Sequence, residues 1–371
     1  KCGQAAPAIA HMWHMPGHTY SKLRRFDDAA WQQEAATRVD HAHMIQDLVL
    51  PDQIHNYAHN EEWLTRTYNE LGRAGDAIGL AKSLIEIPRH PAYNTLDKAA
   101  TSACYGRTRL TETLLKWELW DQIVALSNGP YLGTAVQTGH ETTRLRALGI
   151  AHFNLNQAPA LDADIAALEA LEKKEKARPK PEAKDVPKKT DAVAAKPDSK
   201  TEVRKAEPVK KPEPAKPAAV AAAVAANSAG KPAAAPGADK PKPDAPKPAF
   251  SKPLPNALAE LRALQAILKK DREAAKKSLE AATDIPKERL ARYYLRLDDK
   301  VKAEELTKNF NQDLAGLAAK TEVLMCCGKD ADAKTAFEAV RKAAFAMDRD
   351  LPIAARLGAL ALRLNIKGDW R

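Results

Sequence analysis

A sparse pattern of small, aromatic and apolar residues returns along this chain at helical spacing. The two clearest copies share the same offsets and comprise Gly17, Tyr20, Leu23, Phe26, Ala29 and Ala36, then Thr65, Tyr68, Leu71, Ala74, Ala77 and Leu84. A unit of this size cannot bury its apolar face alone, so each copy must stack on the next one. Apolar residues recur three and four positions apart in both halves of the chain, and period-two alternation is scarce. The repetition therefore predicts an all-α fold of helical hairpins stacked into a solenoid.

A Lys/Ala/Pro/Glu-rich segment, residues 173–254, separates two helical regions. It holds 20 Lys/Arg, 10 Asp/Glu and 15 of the 25 prolines of the chain. Such a composition buries too little apolar surface to offset chain entropy, so we predict a long disordered linker. The chain then divides into N-terminal helical repeats, residues 1–172, and C-terminal helical repeats, residues 255–371, which we expect to be truncated at the C-terminus. The sequence leaves open whether the two helical regions dock.

The net charge of +10 is confined to this linker, because the remaining residues carry 38 basic and 38 acidic side chains. No basic groove is indicated on the folded regions, so we predict no specific nucleic-acid binding. The linker is predicted to act as a spacer or, alternatively, to contact an anionic surface. No apolar stretch is long enough to span a bilayer. The compartment is open, and the linker composition leans toward a bacterial periplasm or envelope.

The two clearest units read GHTYSKLRRFDDAAWQQEAA and TRTYNELGRAGDAIGLAKSL, and they resemble the tetratricopeptide repeat. The resemblance covers most of residues 1–172 and, less clearly, residues 255–371. It implies helix–turn–helix units of about 34 residues and a concave groove that binds a protein or peptide. The period departs from the family, because Ala29 and Ala77 lie 48 residues apart.

The run His-Met-Pro-Gly-His, residues 14–18, looks like the signature of a bacterial subgroup of these repeat proteins. Some relatives carry a thioredoxin-like redox domain after the repeats. This chain contains no Cys-x-x-Cys motif, so such a domain would lie beyond Arg371.

Histidines concentrate in the first repeats, where seven of the ten occur between His11 and His59. Polar side chains at helical spacing form two stripes, namely His14 and His18 on the first long helix and His55, His59, Glu62, Arg66 and Asn69 on a later one. The first stripe is continuous only if Pro16 kinks its helix without ending it. In a tetratricopeptide-like stack, both stripes would face the concave groove.

Three interpretations of these stripes stay open. In the first, the histidines cap helices and satisfy buried carbonyl groups. In the second, the groove binds a protein or peptide partner, with contacts from His14, His18, His59, Glu62, Arg66 and Asn69. In the third, a divalent metal ion such as zinc is bound by His14, His18, His55 and His59, since two histidines at i and i+4 can share one ion. The local sequence HNEEW is not the His-Glu-x-x-His motif of metalloproteases.

No catalytic motif stands out in the chain. A Gly-x-Ser-x-Gly elbow, a Walker-type phosphate loop and a dinucleotide-binding glycine fingerprint are all missing from the sequence. We therefore predict a non-enzymatic scaffold that binds a protein or peptide in the groove of residues 1–172 and needs no cofactor, with a divalent metal ion such as zinc as the alternative. The alternatives are a metal-dependent or redox-linked enzyme subunit and an envelope-associated structural protein.

Overall fold

The computed structural model describes residues 2–54, 56–177 and 254–370, and in these residues the regular secondary structure is entirely helical. The first nine helices are α1 Cys2–Ala5, α2 Ala10–Lys22, α3 Phe26–Gln46, α4 Tyr57–Leu71, α5 Ala74–Glu86, α6 Ser102–Lys116, α7 Trp120–Leu126, α8 Thr138–Asn154 and α9 Ala158–Ala177. The later helices are α10 Leu254–Leu268, α11 Arg272–Ala281, α12 Lys287–Arg296, α13 Lys300–Leu306, α14 Leu314–Cys326, α15 Asp330–Ala343 and α16 Pro352–Arg363. Short 3₁₀ turns span Pro51–Gln53 and Thr307–Asn309.

The predicted disordered linker falls largely on residues outside this description. Of its span, residues 173–177 continue α9 and Leu254 begins α10. No described helix combines the length and the apolar character needed to cross a membrane.

Consecutive helices pack as hairpins. The pairs α2–α3, α4–α5, α6–α7, α8–α9, α10–α11, α12–α13 and α14–α15 each join through a short turn and contact one another. Neighbouring hairpins pack in turn, as α3 contacts α4 and α5 contacts α6. The prediction of an all-α, tetratricopeptide-like fold of helical hairpins is confirmed for the described residues.

One backbone turn ends the first helix of every hairpin, and the same turn also ends α16. A residue in the left-handed region follows the helix, with φ between 54° and 79°, at Arg24, Gly72, Glu118, Asn156, Lys270, Asp298, Gly328 and Asn365. The next residue donates its backbone N–H to the carbonyl five positions earlier, as in the 2.9 Å bond from the residue after Glu118. This is the Schellman arrangement, which satisfies a carbonyl left over at the helix end. A glycine between two helical segments is typical of this left-handed position, and Gly72 and Gly328 both adopt it.

Small residues of the sequence pattern lie where helices cross. Ala29, Ala77 and Ala333 have no solvent exposure. At Gly106 a Cβ atom would lie 2.5 Å from a backbone oxygen of α5, and at Gly149 it would lie 2.4 Å from a leucine of α10. Close packing leaves no room for a side chain at these crossings.

The two helical regions dock, since residues on both sides of the 178–253 gap belong to one compact unit. Helix α10 packs against both α8 and α9. The interface contains Arg146, whose side chain is fully buried. Arg146 Nε donates to Glu260 Oε2 at 2.6 Å, and Nη2 donates to Asp284 Oδ1 at 2.7 Å. Glu260 also accepts hydrogen bonds from Arg289 and Tyr293.

A second contact joins the connection between α15 and α16 to the turn between α4 and α5. The backbone N–H of Asp348 donates to the carbonyl of Gly72 at 3.1 Å, and Asp348 Oδ2 accepts from the N–H of Gly75 at 2.7 Å. A cavity of about 760 Å³, which we call the central cavity, is lined by residues of both regions that include Arg66, Glu118, Phe153, Arg292, Glu322 and Arg356.

Candidate functional site: a histidine cluster between successive hairpins

Helix α2 carries two histidines on one face. It runs without interruption from Ala10 to Lys22 with Pro16 inside it, so His14 and His18 lie one turn apart. Their Nε2 atoms are 2.6 Å apart. A Cβ at Gly17 would lie only 2.9 Å from Gln33 Cγ, so glycine lets α3 pack tightly beside the histidines. The condition that Pro16 must not end this helix is met.

His59, the third residue of α4, completes a cluster of three. Its ring centroid lies 4.9 Å from that of His14 and 6.1 Å from that of His18. One potential ligand atom from each of the three rings lies within 4.8 Å of the others. The cluster therefore forms where the first helices of two successive hairpins meet. His55, the fourth residue of the predicted metal set, lies outside the described residues.

His14 is held in its neutral form. Only 2% of the residue is exposed. Burial, followed by the repulsion from His18, His59 and His11, lowers the pKa of His14 to about 3, against a small opposing effect of Asn60. A neutral imidazole offers the lone pair that a metal ion or a hydrogen-bond donor requires.

Glu62 supports the cluster through its contact with His59. It is fully buried, and its Oε1 atom lies 3.5 Å from His59 Nδ1. Oε2 accepts hydrogen bonds from Arg109 Nε at 2.8 Å and Nη2 at 2.6 Å. Oε1 has no hydrogen-bond partner among the described residues. The carboxylate is thus fixed by Arg109 with one oxygen directed at the His59 ring, an arrangement that orients imidazole ligands in metal sites.

The other predicted contact residues have different surroundings. Asn69 is buried between hairpins, where Nδ2 donates to Thr113 Oγ1 at 2.7 Å and Oδ1 accepts from Trp117 Nε1 at 2.9 Å. Arg66 is exposed, with its guanidinium 4.6 Å from the centre of the Trp63 ring. His14, Glu62 and Asn69 are buried, so a partner that binds to this conformation would reach chiefly His18, His59 and Arg66.

Two residues of the site were not singled out from the sequence. Trp63 meets His18 edge-on with ring centroids 4.4 Å apart. Arg109, which pairs with Glu62, comes from α6 in the following hairpin. Trp63 lies four residues after His59 and could have been found by helical spacing. The pairing of Arg109 with Glu62 could not be predicted from helical spacing, because the two residues are 47 positions apart.

Comparison with known proteins gives a distant structural likeness. No protein-family model matches this chain, and no curated protein matches it. Among solved structures, a tetratricopeptide repeat protein from Parabacteroides merdae ATCC 43184 aligns over 95% of this chain and 98% of its own, with 9% sequence identity and a TM-score of 0.42. We base the helical-repeat assignment on the helix packing described above rather than on this likeness.

Proposed function

We propose that this helical-repeat protein binds one divalent transition-metal ion, of the zinc type, at His14, His18 and His59. The observation that carries the proposal is the convergence of three imidazoles from two helices within 4.8 Å. Imidazole nitrogen is a preferred ligand of zinc, and a set of three histidines is a known zinc-binding combination.

The distances in the cluster fit such an ion after small side-chain rotations. Zinc–nitrogen bonds of about 2.0–2.1 Å place two nitrogens of a tetrahedral site roughly 3.3 Å apart. The His14 and His18 Nε2 atoms are closer than this, at 2.6 Å, and the full set spans up to 4.8 Å. A shift of about an ångström or less at each ring would bring both the shortest and the longest of these nitrogen–nitrogen distances to the roughly 3.3 Å that a tetrahedral site requires. His59 would bind through Nε2, since its Nδ1 faces Glu62.

Three protein ligands leave a fourth position for water or for a group from a partner. The repeat architecture itself suggests a scaffold for protein interactions. We propose that a partner approaches the surface of His18, His59 and Arg66, where an exposed guanidinium lies over Trp63. A carboxylate or imidazole of the partner would be suited to the open metal position and to Arg66. Catalysis is not required by this arrangement.

Titration of the untagged full chain with Zn²⁺ tests the metal site. We expect one equivalent to bind and to raise the melting temperature, because an ion that binds only the folded state stabilises it by about 2.7 kcal/mol at a concentration 100 times Kd. Co²⁺ in place of Zn²⁺ should give the intense visible absorption of a tetrahedral site with nitrogen ligands.

Matched variants locate the ion. His18→Gln and His59→Gln each remove a ligand, so affinity should fall by a factor of about 100 or more, whereas Glu62→Gln should cost about 10- to 100-fold. The control is His43→Gln, on the exposed end of α3, where the imidazole pairs with Asp47. An absence of stoichiometric binding, or equal losses in His43→Gln and His59→Gln, would contradict the proposal.

A further inference from the structure

The central cavity is a second concave site, separate from the histidine cluster. None of the three clustered histidines lines it, and its walls come from α4, α6, α7, α8, α12, α14 and α16 together with their connections. Its volume of about 760 Å³ lies in the range of cavities that hold small organic ligands.

Two arginines and two glutamates form a charged network on one wall. Glu118 accepts hydrogen bonds from both Arg292 and Arg356. Glu322 Oε2 lies 3.2 Å from Arg292 Nε and 3.7 Å from Arg356 Nε. Glu118 is the left-handed residue of the turn between α6 and α7. The turn that recurs in every hairpin therefore places a carboxylate in this wall. The network nonetheless leaves Arg356 Nη2 buried without a hydrogen-bond partner among the described residues.

Two further arginines bring positive charge to the lining. Arg66 and Arg296 have no ion pair with a described carboxylate, and both are held over aromatic rings. Arg296 lies 4.7 Å from the centre of the Phe153 ring. Most carboxylates of the lining form ion pairs with lysine or arginine. Among the described residues only Glu288 of the lining lacks an ion pair, and it accepts a hydrogen bond from the backbone N–H of Asn311. The lining thus carries an excess of unpaired guanidinium groups.

Part of the remaining lining is apolar. Leu115, Trp120, Phe153 and Ile353 all contribute to the walls. Apolar walls combined with a few placed charges are typical of sites that enclose the body of a small molecule and fix one polar end. Guanidinium groups recognise carboxylate and phosphate through paired hydrogen bonds.

We propose that the central cavity binds a small organic anion, with an aromatic or aliphatic body and one carboxylate or phosphate group. The anionic group takes the free donor of Arg356 and the charge of Arg296. The body packs on Trp120 and Ile353. Because the walls belong to both helical regions, the bound anion also holds these regions together.

Calorimetric titration of the full chain with matched probes tests this site. The probes are 1-naphthyl phosphate, 1-naphthoate and the uncharged 1-naphthalenemethanol, which share one aromatic body. We expect both anions to bind, and the alcohol to bind at least about tenfold more weakly, because it lacks the charge-assisted hydrogen bonds. The stronger of the two anions identifies the headgroup that the site prefers.

Variants separate this site from general adsorption. Arg356→Gln and Arg296→Gln should each weaken binding of the preferred anion by about tenfold or more. The control is Arg262→Gln, whose exposed side chain pairs with Glu169 away from the cavity. Arg296 is exposed, so its variant keeps the test valid even if Arg356→Gln fails to fold. Lack of binding of both anions at about 1 mM, equal binding of the alcohol, or unchanged affinity in Arg296→Gln would overturn the proposal.

Discussion

Replacement of Arg146 by methionine tests whether the buried charge network holds the two helical regions together. Methionine retains most of the side-chain volume, so the change removes charge and hydrogen bonds while it creates little empty space. Arg146 donates hydrogen bonds to Glu260 through Nε and to Asp284 through Nη1 and Nη2, at 2.6 to 3.1 Å. Glu260 keeps Arg289 and Tyr293 as partners. Asp284 is therefore the carboxylate that is most affected when the hydrogen bonds and the charge of Arg146 are removed.

The expected cost follows from this residual pairing. Removal of one partner from a buried ion pair costs about 3–5 kcal/mol, because the other charge stays buried without compensation. Arginine at position 146 holds the pKa of Asp284 below its usual value against the opposing effect of burial, so the carboxylate stays charged in the native protein. We expect Arg146→Met to lower the urea midpoint by about 1 M or more, as followed by helical circular dichroism.

A surface pair across the same interface provides the control. Arg262 on α10 pairs with Glu169 on α9 at 2.8 Å, with about half of each side chain exposed. Exposed pairs contribute about 0–1 kcal/mol, so Arg262→Met should change little. Addition of Asp284→Asn to Arg146→Met should restore part of the loss, since it removes the uncompensated charge. Equal destabilisation by Arg146→Met and Arg262→Met would refute this reasoning.

Two further predictions concern packing and thiol chemistry. Gly106→Ala should destabilise the chain by about 1–3 kcal/mol in thermal or urea unfolding, because the new Cβ would lie 2.5 Å from the carbonyl oxygen of Ala81. Gly79→Ala on α5 is the control, since its Cβ would meet no atom within 4 Å. This control should stabilise the chain by up to about 1 kcal/mol. Cys104 should resist iodoacetamide at pH 8 while exposed Cys2 reacts, because burial raises the pKa of the Cys104 thiol to about 11; mass spectrometry showing equal labelling would contradict this.

The sequence predicts the hairpins well because their signals are local. Small and aromatic residues at helical spacing mark both helices of a unit, and Gly72 and Gly328 mark turns. The same local rule places His14 beside His18, and the adjacency of first helices in a repeat brings His59 close. These parts of the fold and of the site can be predicted from the sequence of about two neighbouring repeat units.

Contacts between distant residues could not be predicted in this way. Arg146 and Glu260 are 114 positions apart, and no periodic pattern links them. The burial of Glu62 depends on Arg109 from the next hairpin, so a residue that looks like groove lining in the sequence becomes an internal carboxylate. The central cavity is lined by residues of both helical regions, such as Arg66 and Arg356, which only the assembled stack brings together.

The recurring left-handed turn has a consequence for how this molecule can change. Its defining hydrogen bond joins main-chain atoms, and arginine, glutamate, asparagine, lysine, aspartate and glycine all occupy its left-handed position. Because this turn places few requirements on side chains, a helix can be lengthened or shortened by whole turns while the packing angle between neighbouring helices is kept. Segments between successive turns of this kind, each made of the second helix of one hairpin and the first helix of the next, are therefore the units to exchange when the chain is cut at the residue that follows each turn.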